Sequence, residues 1–138
     1  MVIARFGCWP SFHDGEVHRL TLDRTSRVSA GRAIPTLEFF LRGWIMKPEV
    51  TEAGFYKLDA DSVVHFVFED VFDLDLEGFN QQNVITALNL SVVPAVDGKP
   101  EALHVELEHC YLFSCEFKAL RGWVEAVVPY VDQGGSKA

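Results

Sequence analysis

The stretch "VVHFVFEDVFDLDLEG", residues 63–78, decides how this chain folds. Val64, Phe66 and Phe68 alternate with His65, Val67 and Glu69. Beyond Asp70 the alternation resumes as Phe72, Leu74 and Leu76 against Asp73, Asp75 and Glu77. Successive side chains of an extended backbone point to opposite faces, so a period of two gives a strand one apolar and one polar face; a helix repeats at a longer interval. The pattern returns at Leu103, Val105 and Leu107 against His104, Glu106 and Glu108. Strands of this kind belong to antiparallel sheets with one face on a core.

Outward from that stretch, further strands are expected at residues 17–23, 37–46, 88–93, 113–119 and 123–128, for about eight in all, the range of a sandwich or a partly open barrel. The expected fold is all-β and antiparallel, with room for one or two short helices. Asp-Gly in "AVDGKP" (residues 95–100) predicts a tight hairpin, "AGRAIP" (residues 30–35) a looser link, and Lys47-Pro48 the end of the long second strand. In "EGFNQQNVITAL" (residues 77–88), Gly78 can stop a strand and Asn80 can cap a turn of helix, so a short helix or 3₁₀ turn is expected from about Asn80 to Ile85. The Asn80 and Asn83 amides are expected to satisfy backbone groups there.

A chain of 138 residues with 49% hydrophobic content can bury one core, so residues 1–132 read as a single domain and residues 133–138, "QGGSKA", as a flexible tail. No apolar run is long enough for a membrane helix or a secretory signal, and a cytoplasmic protein is expected. Cys8, Cys110 and Cys115 are odd in number and lack CxxC spacing, so reduced thiols are expected rather than a disulfide framework or a zinc site. The chain lacks GxSxG, P-loop, GxGxxG and HExxH patterns; no catalytic residues, metal or cofactor are expected.

Charge narrows the class further. The net charge of −8 and pI near 5.0 argue against a nucleic-acid binder, which needs a basic face for phosphates. Residues 1–50 hold seven Lys/Arg against five Asp/Glu, while residues 51–138 hold five against fifteen. Between Lys57 and Lys99 there is no lysine or arginine, yet Asp59, Asp61, Glu69, Asp70, Asp73, Asp75, Glu77 and Asp97 fall there. Such a cluster is either a solvated face or a surface for a basic partner. On the second reading the partner-binding residues are Asp73, Asp75, Glu77, Glu106 and Glu108.

"WPSFHDGE", residues 9–16, concentrates the remaining chemistry. Ser11 followed by Asp14 approximates a capping box, and Pro10 and Gly15 bracket a turn that launches the first strand, with Phe12 or Trp9 buried against the sheet. Trp9, Ser11, Phe12, His13 and Asp14 are then structural, as are Asn80 and Asn83. The competing reading makes His13, Asp14, Glu16 and His18 a metal or acid–base site. "DLDLEG", residues 73–78, matches the first half of a calcium loop, but Val84 stands where the bidentate glutamate is needed, and a strand with an acidic outer face fits better. Trp9, Trp44 and Trp123 are expected in the core or its rim; an exposed one would suggest an interface anchor.

Together, "FGCWPSFHDGEVHRLTLDR" (residues 6–24), "VFEDVFDLDLEGFNQQNVI" (residues 67–85) and "LHVELEHCYLFSCEFKA" (residues 103–119) resemble the Immunity protein 50 family of bacterial polymorphic toxin loci. The likeness runs through most of the chain in order, and the WPSFHD and FNQQNVI words are its distinctive parts. It implies a non-catalytic antitoxin that binds and neutralises a cognate protein toxin in the producing cell. Two other classes stay open: a small metal-dependent or ligand-binding enzyme centred on His13, Asp14, Glu16 and His18, and a structural subunit of a homodimer or larger homo-oligomer.

Overall fold

The computed structural model describes the backbone of residues 9–50, 54 and 56–131; Cys8 and the expected tail at residues 133–138 lie outside the described residues. Among the described residues ten strands follow one another: β1 (Glu16–Asp23), β2 (Val28–Ser29), β3 (Arg32–Ala33), β4 (Thr36–Val50), β5 (Tyr56–Glu69), β6 (Phe72–Glu77), β7 (Ile85–Val93), β8 (Ala102–His109), β9 (Ser114–Ala119) and β10 (Arg121–Pro129). Among the described residues there is no helix. Every pairing is antiparallel. One sheet has the order β1-β4-β5-β10, a second the order β6-β9-β8-β7, and β2-β3 form a small hairpin. The two large sheets share one core and neither closes into a barrel, so the architecture is an all-β, sandwich-like fold.

The alternation in the sequence builds that core. Leu37, Phe39 and Leu41 of β4 and Val64, Phe66 and Phe68 of β5 are buried on the inner face of the first sheet. Val105 and Leu107 of β8 and Cys115, Phe117 and Ala119 of β9 are buried on the inner face of the second. Phe68 and Phe117 meet edge to face across the sandwich at 5.0 Å between ring centroids. Each buried aliphatic or phenyl side chain contributes about 1.5–3 kcal/mol of transfer free energy. β6 departs from the expectation: Phe72 and Leu74 stay exposed on this edge strand, because the register breaks between Phe72 and Asp75, with Asp73 at φ 51°, and Phe72 lies opposite Lys118.

The chain changes sheets between β5 and β6 and again between β9 and β10. Leu120 N donates to Glu69 O (3.1 Å) and Val71 N to Pro35 O (3.2 Å), which ties both crossings together. Charge holds the same point. Arg121 bonds Glu69 (3.1 Å) and Asp70 (2.7 Å), Arg27 reaches Glu69 (3.1 Å) and Arg32 reaches Asp70 (3.2 Å). Asp70 is only 8% exposed, so a carboxylate there requires these guanidinium partners.

Three local expectations need correction. The expected helix from Asn80 to Ile85 is absent: Asn80 to Asn83 is irregular backbone, Val84 bridges Glu16 and Ile85 opens β7, because Asn83 spends its side chain on the backbone of this connector and of β1. "AGRAIP" is part of a true hairpin: Ser29 pairs with Arg32 across Ala30 and Gly31, both at positive φ (52° and 74°). Lys47-Pro48 does not end its strand, since β4 continues to Val50 and Pro48 falls in the register break between Met46 and Val50, where a ladder donor is dispensable. Asp97 and Gly98, at φ 45° and 79°, make the tight turn at the tip of the β7–β8 hairpin, as Asp-Gly chemistry demands.

Candidate partner-binding face

Burial of Val105, Leu107, Cys115 and Phe117 sends the intervening residues of β8 and β9 to the outer face of the second sheet. Register then decides which charges become neighbours. Asp75 on β6 lies opposite Glu116 on β9, and Glu116 lies opposite Glu106 on β8, so three carboxylates form one row across three strands. Glu77 pairs with Ser114 on the same side. β6 and β8 are not adjacent; β9 separates them and adds a carboxylate of its own. The structure thus places Asp73, Asp75, Glu77, Glu106 and Glu108 on one face and joins Glu116 to them. The sequence reading missed Glu116, although it alternates with Cys115 and Phe117 in a strand.

Partners on this face are few. Asn89 Nδ2 donates to Glu106 (3.1 Å) and Glu108 (2.9 Å), His104 stands 3.3 Å from Glu116, and Lys118 pairs with Asp73 at 3.3 Å. Asp75 and Glu77 have no cationic partner among the described residues. Like charges directly opposite each other destabilise a strand pair, and Glu116 meets such a neighbour on both sides. The acidity of residues 59–77 is nevertheless smaller in space than in sequence. Asp61 is held by a two-pronged Arg42 (3.0 and 2.8 Å), and Glu69 and Asp70 by the arginines of the sheet crossing.

At one end of this face, the loop between β8 and β9 exposes Tyr111 and Leu112, and the connector after β6 exposes Phe79. The two segments touch closely: Gly78 sits at φ 67°, and a Cβ there would fall 2.1 Å from Leu112 O. An acidic face ending in an exposed tyrosine and leucine has the ingredients of an interface, charge for steering and an aromatic anchor for affinity.

The two distinctive words of the sequence meet at the other edge of the second sheet. Asp14 N donates to Ile85 O (3.0 Å), Ile85 N to Gly15 O (2.9 Å), Val17 N to Asn83 O (2.9 Å) and Leu88 N to Ser11 O (3.0 Å), so residues 11–17 close the first half of β7. Asn83, buried, donates to Val17 O (3.3 Å) and Asn80 O (2.9 Å) and accepts from Asn80 N (2.7 Å). Asn80 itself accepts from Gln82 N (2.9 Å). Ser11 Oγ accepts from His13 N (3.2 Å), an i+2 turn in place of the expected capping box. Phe12 is buried at 2% exposure while Trp9, at 44%, lies edge-on to it at 6.2 Å.

His13, Asp14, Glu16 and His18 do not converge. They form two pairs, His13–Asp14 and His18–Glu16, each at 3.5 Å, and His13 Nδ1 is bonded to Thr86 O at 2.9 Å. Among the described residues no three His, Cys, Asp or Glu side chains gather in a metal-binding arrangement. Burial, seconded by the charge of Asp75, pushes the Cys115 thiol up to about 12, which leaves it protonated and unreactive near neutrality; Cys110 is exposed. Of the tryptophans expected in the core or its rim, Trp9 and Trp123 are exposed, at 44% and 36%, and share with Leu90 and Leu103 a shallow apolar groove beside β10. Comparison of the chain with family models, with curated proteins and with solved structures finds no match.

Proposed function

We propose that this protein is a non-catalytic immunity protein that captures a basic protein toxin in the cytoplasm of the producing cell, with the outer face of the β6-β9-β8-β7 sheet as its docking surface. The observation that carries the reading is the Asp75–Glu116–Glu106 row. Three carboxylates facing one another across two strand pairings oppose folding of the free protein, and a cationic partner relieves that repulsion. Tyr111 and Leu112, exposed at the end of the face, would supply the desolvated anchor that charge alone does not. The resemblance of the WPSFHD and FNQQNVI words to the Immunity protein 50 family points the same way.

The test is co-expression with the product of the neighbouring gene followed by affinity capture and kinetics. A basic partner held by this face associates more slowly as salt rises from about 0.1 to 1 M, where the Debye length falls from about 10 to about 3 Å. Capture that ignores both salt and substitutions at Asp75, Glu106 and Glu116 would place the contact elsewhere on the molecule.

A further inference from the structure

We propose that the cleft at the opposite end of the second sheet from Tyr111 binds a small amphipathic monoanion, an apolar body carrying one carboxylate. The cleft has a volume of about 660 Å³, within the range of sites that enclose a single small molecule. It forms where β6 and β8 begin and β7 and β9 end, with Arg32 of the β2–β3 hairpin among its lining residues. Its walls are Pro35, Val71, Pro94, Pro100, Ala102 and Leu120. Three of these are prolines, whose fixed φ keeps the walls in place before a ligand arrives. Apolar walls disfavour sugars and nucleotides, which would leave hydroxyls unpaired.

The polar groups sit on the rim, and their balance sets the sign of the ligand. Arg32, Lys99 and Lys118 line it together with Asp70 and Asp73. Both carboxylates are already engaged, Asp70 by Arg32 and Arg121 and Asp73 by Lys118. An amine would therefore compete with three internal cations. Lys99, at the tip of the β7–β8 hairpin, has no carboxylate partner among the described residues, and Arg32 gives Asp70 one Nη at 3.2 Å while keeping further N–H donors. In a chain of net charge −8, this rim is a local surplus of positive charge over an apolar floor.

The cleft does not rest on the partner-binding reading, although its rim shares Asp73 and Lys118 with that face. Octanoate, 1-octanol and octylamine are titrated into the labelled protein while methyl resonances are followed by NMR. Octanoate is expected to saturate with shifts at Val71, Val93, Val96 and Leu120, roughly tenfold tighter than octanol, as one charge-assisted hydrogen bond provides, with octylamine weakest. Lys99→Met, at an exposed position whose hydrogen bonds to Val96 are made by its backbone, should bring octanoate to the affinity of octanol. No saturation, equal affinity for all three probes, or shifts centred on Leu90, Leu103 and Val124 in the Trp9–Trp123 groove would overturn the assignment.

Discussion

The seat of Phe12 can be dissected by a double-mutant cycle. Phe12 is 2% exposed, and its ring stands 6.1 Å from Phe66 and 6.2 Å from Trp9. The ring lies over Gly43 on β4, where a Cβ would fall 2.5 Å from Phe12 Cδ1. Removing a phenyl that buries on the order of 200 Å² forfeits up to about 5 kcal/mol at 25 cal/mol per Å², so Phe12→Ala should cost about 3–5 kcal/mol. Gly43→Ala in the native background forces a methyl into a filled site and should cost about 1–3 kcal/mol. In the Phe12→Ala background the methyl enters vacated space, and the strand preference for Ala over Gly turns the effect to about zero or slightly stabilising. Urea unfolding of the four proteins, with equal m-values, should give a coupling of about 1–3 kcal/mol. Costs for Gly43→Ala that agree within about 0.5 kcal/mol in both backgrounds would refute the packing argument.

Further outcomes follow from charge and burial. Glu116→Gln removes the carboxylate that faces both Asp75 and Glu106 and should stabilise the free protein by up to about 0.5 kcal/mol at low salt, with the gain vanishing at high salt; thermal melts in both conditions check this. Arg121→Ala strips partners from both Glu69 and Asp70 and should lower Tm more than Arg32→Ala, which strips one contact from Asp70. Iodoacetamide at neutral pH should label Cys110 and spare Cys115 in the native protein, as mass spectrometry of the digest would report. Burial first, and then Asp75, raise the Cys115 thiol from 9.0 to about 12, so the folded state holds the proton longer. The stability this group contributes is complete below pH 9.0 and falls as pH rises toward about 12, which alkaline urea titrations of native protein and Cys115→Ala should separate.

The all-β fold was legible because the decisive residues report themselves locally: Val64, Phe66 and Phe68 alternate in sequence and are buried together in space. Asp97-Gly98 was equally plain, since a two-residue turn at positive φ states its own chemistry. Asn80 misled, because an asparagine after Gly78 looks the same whether it caps a helix or opens an irregular connector in which Asn83 bonds Val17 O, 66 residues away in sequence. The site was half legible. Alternation put Asp73, Asp75 and Glu77 on one face of a strand, but adjacency depends on the order β6-β9-β8-β7, a long-range property, so Glu116 stayed hidden. Charge counting along the chain likewise overstated the acidity of residues 59–77, because the arginines that neutralise Asp61, Glu69 and Asp70 come from distant segments.

The most direct test of the central claim is growth rescue and association kinetics with the neighbouring gene's toxic product, comparing the native protein with the triple reversal Asp75→Lys, Glu106→Lys, Glu116→Lys. The account predicts that the native protein rescues growth and associates in a salt-dependent manner. The folded reversal variant should lose rescue, with an on-rate lower by about tenfold to a hundredfold. Undiminished rescue and an unchanged on-rate by a folded triple variant would contradict it.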